Sequence, residues 1–187
     1  MLPLSLEQGN QFSHLVELIE PSRERNELVL SPQNNDILEA LLNEFRHADI
    51  LRRHGLINRS RILLCGPPGT GKTLTAEILA RQIGLPLYVA KIDAIISSFL
   101  GETASNVRKL FDAANQQACV LFLDEFDALA RARISNDEHN ELRRVVNSLL
   151  MMIDRYSGRG LLVAATNLEE ALDSAIWRRF DDVLFFD

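Results

Sequence analysis

Short apolar runs alternate with longer amphipathic stretches along most of this chain, a pattern typical of β-strands separated by helices. The runs are rich in Leu, Val, Ile and Phe and show no clean alternation, as expected of strands that helices cover on both faces. We therefore predict an α/β fold, a three-layer sandwich around a five-stranded parallel sheet. The predicted strands are Arg61–Cys65, Leu85–Lys91, Cys119–Leu123, Gly160–Ala165 and Asp182–Phe186.

The helical pattern is clearest over Glu141–Tyr156, where apolar residues recur every three or four positions and form one stripe. Ser105–Gln117 repeats this pattern over a shorter stretch. Upstream, Ser31 followed by Pro32 predicts a helix start, because serine caps free N–H groups and proline favours the first helical position. Residues 1–27 have weak periodicity and are interpreted as a leader or a fragment of a preceding region, which leaves 28–187 as the domain.

Composition narrows the classes of protein that fit. A chain of 187 residues can bury a large core without disulfides, so Cys65 and Cys119 are interpreted as small buried hydrophobes. A net charge of −6 provides no general attraction for nucleic acid and argues against a nucleic-acid partner, although it does not exclude a local basic groove. The sequence shows no signal peptide and no membrane-length apolar segment, which favours a cytoplasmic protein.

A glycine-rich loop follows the first predicted parallel strand and ends in Lys72 and Thr73. Four residues separate Gly66 from Gly71, which is the spacing of a phosphate-binding loop. Glycines let backbone N–H groups curl around phosphate oxygens, since no Cβ stands in the way. Lys72 is expected to reach the β- and γ-phosphates, and the Thr73 hydroxyl is expected to hold Mg²⁺. The loop therefore predicts a nucleoside triphosphate site.

Three further signals lie next to predicted strands, and the first ends a buried strand at the sheet edge where the phosphate-binding loop also lies. Asp124 ends an apolar run and is expected to hold Mg²⁺ together with Thr73, while Glu125 suits a general base for the attacking water. Asn167 follows the next strand and is suited to orient water or touch the γ-phosphate, although Thr-Asn is also an ordinary turn. The adjacent Arg178 and Arg179 suit phosphate recognition, or form a solvated pair bonded to the aspartates that follow them.

These elements, in this order, resemble the AAA ATPases from about Leu28 to Asp187. The resemblance implies that Asn167 is the family's first sensor, and that Arg178 and Arg179 are arginine fingers acting on a neighbouring subunit, adjacent as in katanin- and spastin-like relatives. It also implies ATP and Mg²⁺ as ligands, and a ring, usually a hexamer. The nucleotide-binding residues implied are Gly66, Pro67, Pro68, Gly69, Thr70, Gly71, Lys72, Thr73, Leu74 and Asp124.

Phe99 and Leu100, followed by Gly-Glu, are similar to the family's first pore loop, which grips substrate polypeptide. The alternative is that Phe99 packs under the sheet. The resemblance implies ATP hydrolysis that remodels or unfolds protein substrates and delivers them to a protease or adaptor partner. A loader or switch acting on nucleic-acid complexes is the second hypothesis, and a scaffold that does not hydrolyse ATP is disfavoured. The family's small helical lid is expected to be absent from these 187 residues.

Overall fold

The structure is a computed structural model that describes residues 16–92, 95, 103–129, 140–157, 159–168, 170, 172 and 174–187. Phe99 and Leu100, the predicted pore-loop residues, lie outside these described residues, so their role stays a prediction. The elements are, in chain order, β1 (Val16–Ile19), a 3₁₀ turn (Arg25–Glu27), α1 (Pro32–Arg46), α2 (Ala48–Arg53), β2 (Arg61–Cys65), α3 (Lys72–Ile83), β3 (Leu87–Lys91), α4 (Thr103–Gln116), β4 (Val120–Asp124), α5 (Asn140–Asp154), β5 (Leu161–Thr166), α6 (Ser174–Trp177) and β6 (Asp182–Phe185).

One sheet runs through the middle of the domain in the order β1-β3-β4-β5-β2-β6. Strands β2 to β6 pair in parallel, which confirms the predicted α/β fold, and their bounds lie close to the predicted ones. The predicted strand count of five was wrong by one. Val16–Ile19, within the segment interpreted as a leader, pairs antiparallel with β3 and forms a sixth, edge strand. It escaped prediction because an edge strand has few buried positions, and here the two middle residues are exposed.

The two faces of the sheet carry separate halves of the core, because neighbouring residues of a strand point to opposite sides. Leu63 and Leu121 pack on one face with α4 and α5, while Leu64 and Phe122 pack on the other with α1 and α3. Both layers consist mainly of buried aliphatic and aromatic side chains, and burial of a large one stabilises the fold by about 2 kcal/mol. Helices on both sides of the parallel sheet form the three layers that were predicted from apolar strands without alternating polar residues.

Helix α1 starts as the sequence predicts. The Ser31 side chain caps it by accepting a hydrogen bond from Asn34 N at 3.2 Å, and Pro32 occupies the first turn. The Asn34 side chain is buried, and its Nδ2 donates to Phe185 O at 2.6 Å. This bond fixes the start of α1 to the end of the edge strand β6, beside the phosphate-binding loop.

Candidate nucleotide-binding site

The phosphate-binding loop connects β2 to α3, and its shape depends on glycine. Gly66 has φ of +150°, and a Cβ placed there would lie 2.2 Å from Phe186 O. Gly71 has φ of +96° and is the residue immediately before α3. Side chains are strained in such conformations, and at Gly66 a side chain would also collide with backbone. The loop can therefore pass close to the end of β6 and turn directly into the helix.

Lys72 is buried, and its side chain folds back into the loop. Its Nζ donates hydrogen bonds to Gly66 O at 2.6 Å and Pro67 O at 2.7 Å. Burial lowers the pKa of Lys72 from its ordinary value, while the negative charge of Asp124 acts in the opposite direction. These two hydrogen bonds hold the Lys72 ammonium against the loop that the sequence predicts to bind phosphate.

The start of α3 supplies further donors for an anion. The helical bonding pattern begins where Thr75 N donates to Gly71 O at 2.8 Å, and the Thr75 hydroxyl donates to the same carbonyl at 2.9 Å. The N–H groups of Lys72, Thr73 and Leu74 precede this ladder and belong to the first turn, where N–H groups lack intrahelical acceptors. They add to the positive end of the helix dipole. An anion bound in the loop would contact these N–H groups and would lie at the positive end of the helix dipole.

The end of β4 contains an unusual backbone conformation. Glu125 has φ of +57°, in the left-handed region that residues other than glycine seldom adopt. Its N–H donates to Asp124 Oδ1 at 2.8 Å, and the next N–H, of Phe126, donates to Ala165 O at 2.8 Å. Local hydrogen bonds on both sides thus hold the left-handed turn. Strained residues of this kind cluster at active sites, where the surrounding structure enforces them.

Asn167 follows β5, and a buried carboxylate contacts it. Asp127 Oδ1 accepts a hydrogen bond from Asn167 N at 3.4 Å, and the Asp127 side chain is almost completely buried. The negative charge of Asp127 also acts on Lys72, where it opposes the lowering of the pKa that burial causes. Asp127 had no role predicted from the sequence, although its position two residues after Glu125, in an otherwise apolar stretch, was a usable signal. It connects the turn after β4 to the residue after β5.

Three hydrogen bonds join the strand ends into one unit. Besides the Phe126–Ala165 and Asn167–Asp127 bonds, Gly66 N donates to Thr166 O at 3.2 Å. The phosphate-binding loop, the acidic turn after β4 and the end of β5 therefore meet at one edge of the sheet. A cavity of about 300 Å³ opens there, lined by Gly66, Pro67, Asn167, Phe185, Phe186 and Asp187.

The residues present suit magnesium as well as phosphate. Thr73 offers an exposed hydroxyl at the start of α3, and Asp124 a partly exposed carboxylate at the end of β4. Both are hard oxygen ligands of the kind Mg²⁺ prefers. In the described part of the chain, no group of three or more His, Cys, Asp or Glu side chains is placed to hold a metal. A magnesium ion here would take its remaining ligands from phosphate oxygens and water.

Arg178 and Arg179 follow α6 and differ in their surroundings. Arg179 Nε lies 3.1 Å from Asp154 Oδ1 at the end of α5, whereas the Arg178 side chain is exposed. The alternative predicted from the sequence was an arginine pair bonded to the aspartates that follow. This prediction was wrong about the partners of those aspartates. Asp181 pairs with Arg61 at 3.0 Å, and Asp182 pairs with Arg59.

Trp177, immediately before the arginines, connects them to the cavity. Its ring stacks on Phe185 with centroids 6.1 Å apart and an interplanar angle of 23°. Phe185 is half-exposed and lines the cavity beside Gly66. The arginine segment and the wall of the cavity are therefore in contact within one chain.

Comparison with known sequences finds related proteins that match most of this chain. The sequence profile of the "ATPase family associated with various cellular activities (AAA)" matches residues 62–187. A Sinorhizobium fredii protein named "Uncharacterized AAA family ATPase y4kL" is 62% identical over 172 residues, which are 92% of this chain and 52% of that protein. The "ATP-dependent zinc metalloprotease FtsH 1" of Symbiobacterium thermophilum is 41% identical over 157 residues, 80% of this chain and 26% of that protein. The chain thus spans about half the length of the first relative and less of the second.

Solved structures agree with this relationship. The crystal structure of the FIGL-1 AAA domain superposes with a TM-score of 0.77 at 25% identity, covering 99% of this chain and 63% of that one. The same domain in complex with ADP gives a TM-score of 0.75 at 26% identity, covering 93% of this chain and 58% of that one. In the described part of the chain, no helix is both long and apolar enough to cross a bilayer. With its profile match, its sequence relatives and its shared fold, the chain belongs to the AAA family of ATPases.

Proposed function

We propose that this chain binds ATP with Mg²⁺ and hydrolyses it to ADP and phosphate. The observation that carries the proposal is the meeting of three strand ends at one edge of the sheet, joined by the Gly66–Thr166, Phe126–Ala165 and Asn167–Asp127 hydrogen bonds. These bonds bring phosphate-binding, acidic and amide groups together. Family membership and the likeness to an ADP-bound AAA domain support the same activity.

The roles proposed for the residues follow from their chemistry. Lys72 and the N–H groups at the start of α3 bind the phosphates, while Thr73 and Asp124 would hold Mg²⁺, which would neutralise phosphate charge. Glu125 accepts the proton of the attacking water, and the Asn167 amide orients that water. The left-handed φ of Glu125 sets the direction in which its carboxylate leaves the backbone. An arginine of a neighbouring subunit stabilises the charge that develops on the γ-phosphate.

We further propose that hydrolysis drives the remodelling or unfolding of protein substrates within a ring of such subunits. The support is the name of one relative, the ATP-dependent zinc metalloprotease FtsH 1, an enzyme that acts on protein and depends on ATP. Phe99 and Leu100 are the proposed contact with substrate. A protease or adaptor partner, and the identity of the substrate, belong to the same proposal.

Phosphate release from ATP, measured over a series of chain concentrations with and without Mg²⁺, tests the activity. We expect magnesium-dependent release whose specific rate rises with concentration, because each site requires an arginine from another copy. The Lys72→Ala variant should lose ATP binding in a titration with a fluorescent ATP analogue. Failure of the unmodified chain to release phosphate at any concentration would refute hydrolysis, and unchanged binding by Lys72→Ala would refute the assigned site.

A further inference from the structure

Residues 20–28 form a strap that leads from β1 towards α1 and contacts α3 on the way. Glu77 on α3 holds the strap with a single oxygen atom. Its Oε1 accepts hydrogen bonds from Ser22 N at 3.0 Å, from Ser22 Oγ at 3.2 Å and from Arg23 N at 3.3 Å. One carboxylate therefore fixes two consecutive residues of the strap to the helix that follows the phosphate-binding loop.

Arg81 lies one helical turn after Glu77 and holds the same part of the strap. It donates to Pro21 O at 3.3 Å and forms an ion pair with Glu24. Residues four positions apart lie on one side of a helix, so the strap runs along the side of α3 that Glu77 and Arg81 share. Thr73, the proposed magnesium ligand, precedes Glu77 by the same interval, which places it on that side at the start of the helix.

The second half of the strap ends beside the phosphate-binding loop. Glu24 N donates to Glu27 Oε1 at 2.8 Å, and a terminal nitrogen of Arg25 donates to Leu28 O at 3.0 Å, so local bonds shape this half. Leu28 is buried, and its Cδ1 lies 3.9 Å from the position of a Cβ built on Gly71. The strap thus ends against the residue that leads directly into the first turn of α3.

Of the two anchors on α3, Glu77 is the stronger. The ion pair of Arg81 and Glu24 joins side chains that are 41% and 55% exposed, and exposed ion pairs contribute little to stability. Glu77 is half-buried and bonds backbone N–H groups, which fixes the path of the chain. A strap released from Glu77 would take Leu28 away from the loop, and the loop would lose a contact next to the N–H groups proposed to bind phosphate.

We infer that Glu77 is a positioning residue for nucleotide binding, which acts through the strap: it holds the strap along α3 and so keeps Leu28 against the loop. This inference rests on the proposed function. Closure of the strap and binding of nucleotide then favour each other by the same factor, because coupling between two equilibria in one molecule is reciprocal.

Hydrogen exchange measured by mass spectrometry tests whether the strap responds to nucleotide, since local opening sets the exchange rate of its backbone N–H groups. In the unmodified chain, a peptide covering residues 20–28 should exchange several-fold more slowly with ADP and Mg²⁺ than without them. Glu77→Ala should speed this exchange, whereas Glu77→Gln, which keeps an oxygen acceptor, should retain most of the protection. Glu44→Ala is the matched control, because Glu44 also accepts two hydrogen bonds, but from Arg59 before β2.

Titration with a fluorescent ATP analogue tests the effect at the nucleotide site. Glu77→Ala should weaken binding by about five-fold, the low end of ordinary coupling between sites. The KM for ATP should rise by a similar factor while kcat stays nearly unchanged, because the inference gives Glu77 no contact with the reacting groups. Glu77→Gln should recover most of the affinity, and Glu44→Ala should bind the analogue as the unmodified chain does.

Faster exchange of the strap in Glu77→Ala without a loss of affinity would overturn the inference, because Glu77 would then only stabilise the fold. Exchange in the unmodified chain that ADP and Mg²⁺ do not slow would overturn it as well. Failure of the proposed function has a different signature. A chain that shows both effects but releases no phosphate refutes hydrolysis and leaves the coupling intact, whereas a chain that binds no nucleotide refutes both.

Discussion

The phosphate-binding loop and the arginine segment lie close together in this chain but are built differently. In the loop, Lys72 is buried and both of its hydrogen bonds are to carbonyls of its own chain. In the arginine segment, the residues on both sides of Arg178 contact the rest of the chain, whereas the Arg178 side chain is exposed. The charged group of the first region is held by its own chain, whereas the second region presents a charged side chain to solvent. The difference fits the proposal that one chain binds the nucleotide and that an arginine of a neighbouring subunit completes the site.

The largest expected effect separates binding from chemistry in the first region. Glu125→Gln keeps the shape of the side chain but cannot accept a proton, so turnover should fall by about 10²–10⁴-fold. Binding of a fluorescent ATP analogue should remain near that of the unmodified chain. Because Glu125 has a left-handed φ, Glu125→Gly serves as a control that keeps the backbone conformation without the carboxylate, and it should be equally inactive. Hydrolysis by Glu125→Gln at the unmodified rate would show that another group is the base.

Mixing two inactive variants tests whether the two regions work across subunits. Lys72→Ala lacks the loop's charge, and Arg178→Ala lacks the exposed arginine. In a randomly mixed ring, about a quarter of the head-to-tail interfaces pair an intact loop with an intact arginine, so a comparable share of activity should return. Phosphate release is measured as the mixing ratio changes. No recovery, despite proven co-assembly, would mean that the arginine acts within its own chain.

Alanine substitutions of two glycines compare the effect of a backbone collision inside the candidate site with that of one outside it. A Cβ at Gly160 would lie 1.8 Å from Cys119 O, and one at Gly66 would lie 2.2 Å from Phe186 O. We expect each alanine variant to lose about 3 kcal/mol of unfolding free energy, because backbone must move in both. Denaturant unfolding measures this loss. ATP affinity of the folded fraction should fall only for Gly66→Ala, and equal affinity losses would show that the loop is no more sensitive than the rest of the sheet.

The smallest expected effect is the pH dependence that Lys72 produces. Burial lowers its pKa in the folded chain, so between that value and the ordinary one, 10.5, the unfolded chain binds more protons. The free energy of unfolding contributed by this group should therefore rise with pH in that window and be constant below it. Lys72→Met should abolish this rise in denaturant titrations at alkaline pH, whereas substitution of the exposed Lys91 should not. An identical pH profile for Lys72→Met would contradict the cause assigned to the pKa change.

The sequence was sufficient for the parallel part of the fold because buried strands leave a local signal. β2 has the predicted bounds, and the helix after Ser31 begins as predicted. β1 was missed because only its pairing with β3, far along the chain, makes it a strand. Motif spacing likewise indicated which residue types belong to the site, but not their contacts.

Those contacts depend on tertiary structure that no local pattern encodes. The ion pair between Arg179 and Asp154 joins two elements that are separate in sequence, and so does the bond between Asp127 and Asn167. The left-handed φ of Glu125 is equally invisible in sequence, since glutamate seldom adopts it and only surrounding hydrogen bonds enforce it. The sequence therefore identified the residue types of the candidate site, and the packed structure distinguished the surroundings of two adjacent arginines.

The stack of Trp177 on Phe185 has a practical consequence. Trp177 is the chain's single tryptophan, so all of its indole fluorescence originates at this one place. The ring rests on a phenyl group that lines the cavity beside the phosphate-binding loop, and it stands next to the exposed Arg178. The molecule thus contains its own optical reporter at the junction of its two functional regions. Changes in the emission intensity or wavelength of Trp177 can be followed in unlabelled protein. The Phe185→Leu variant shows how much of such a change depends on the stack of the two rings.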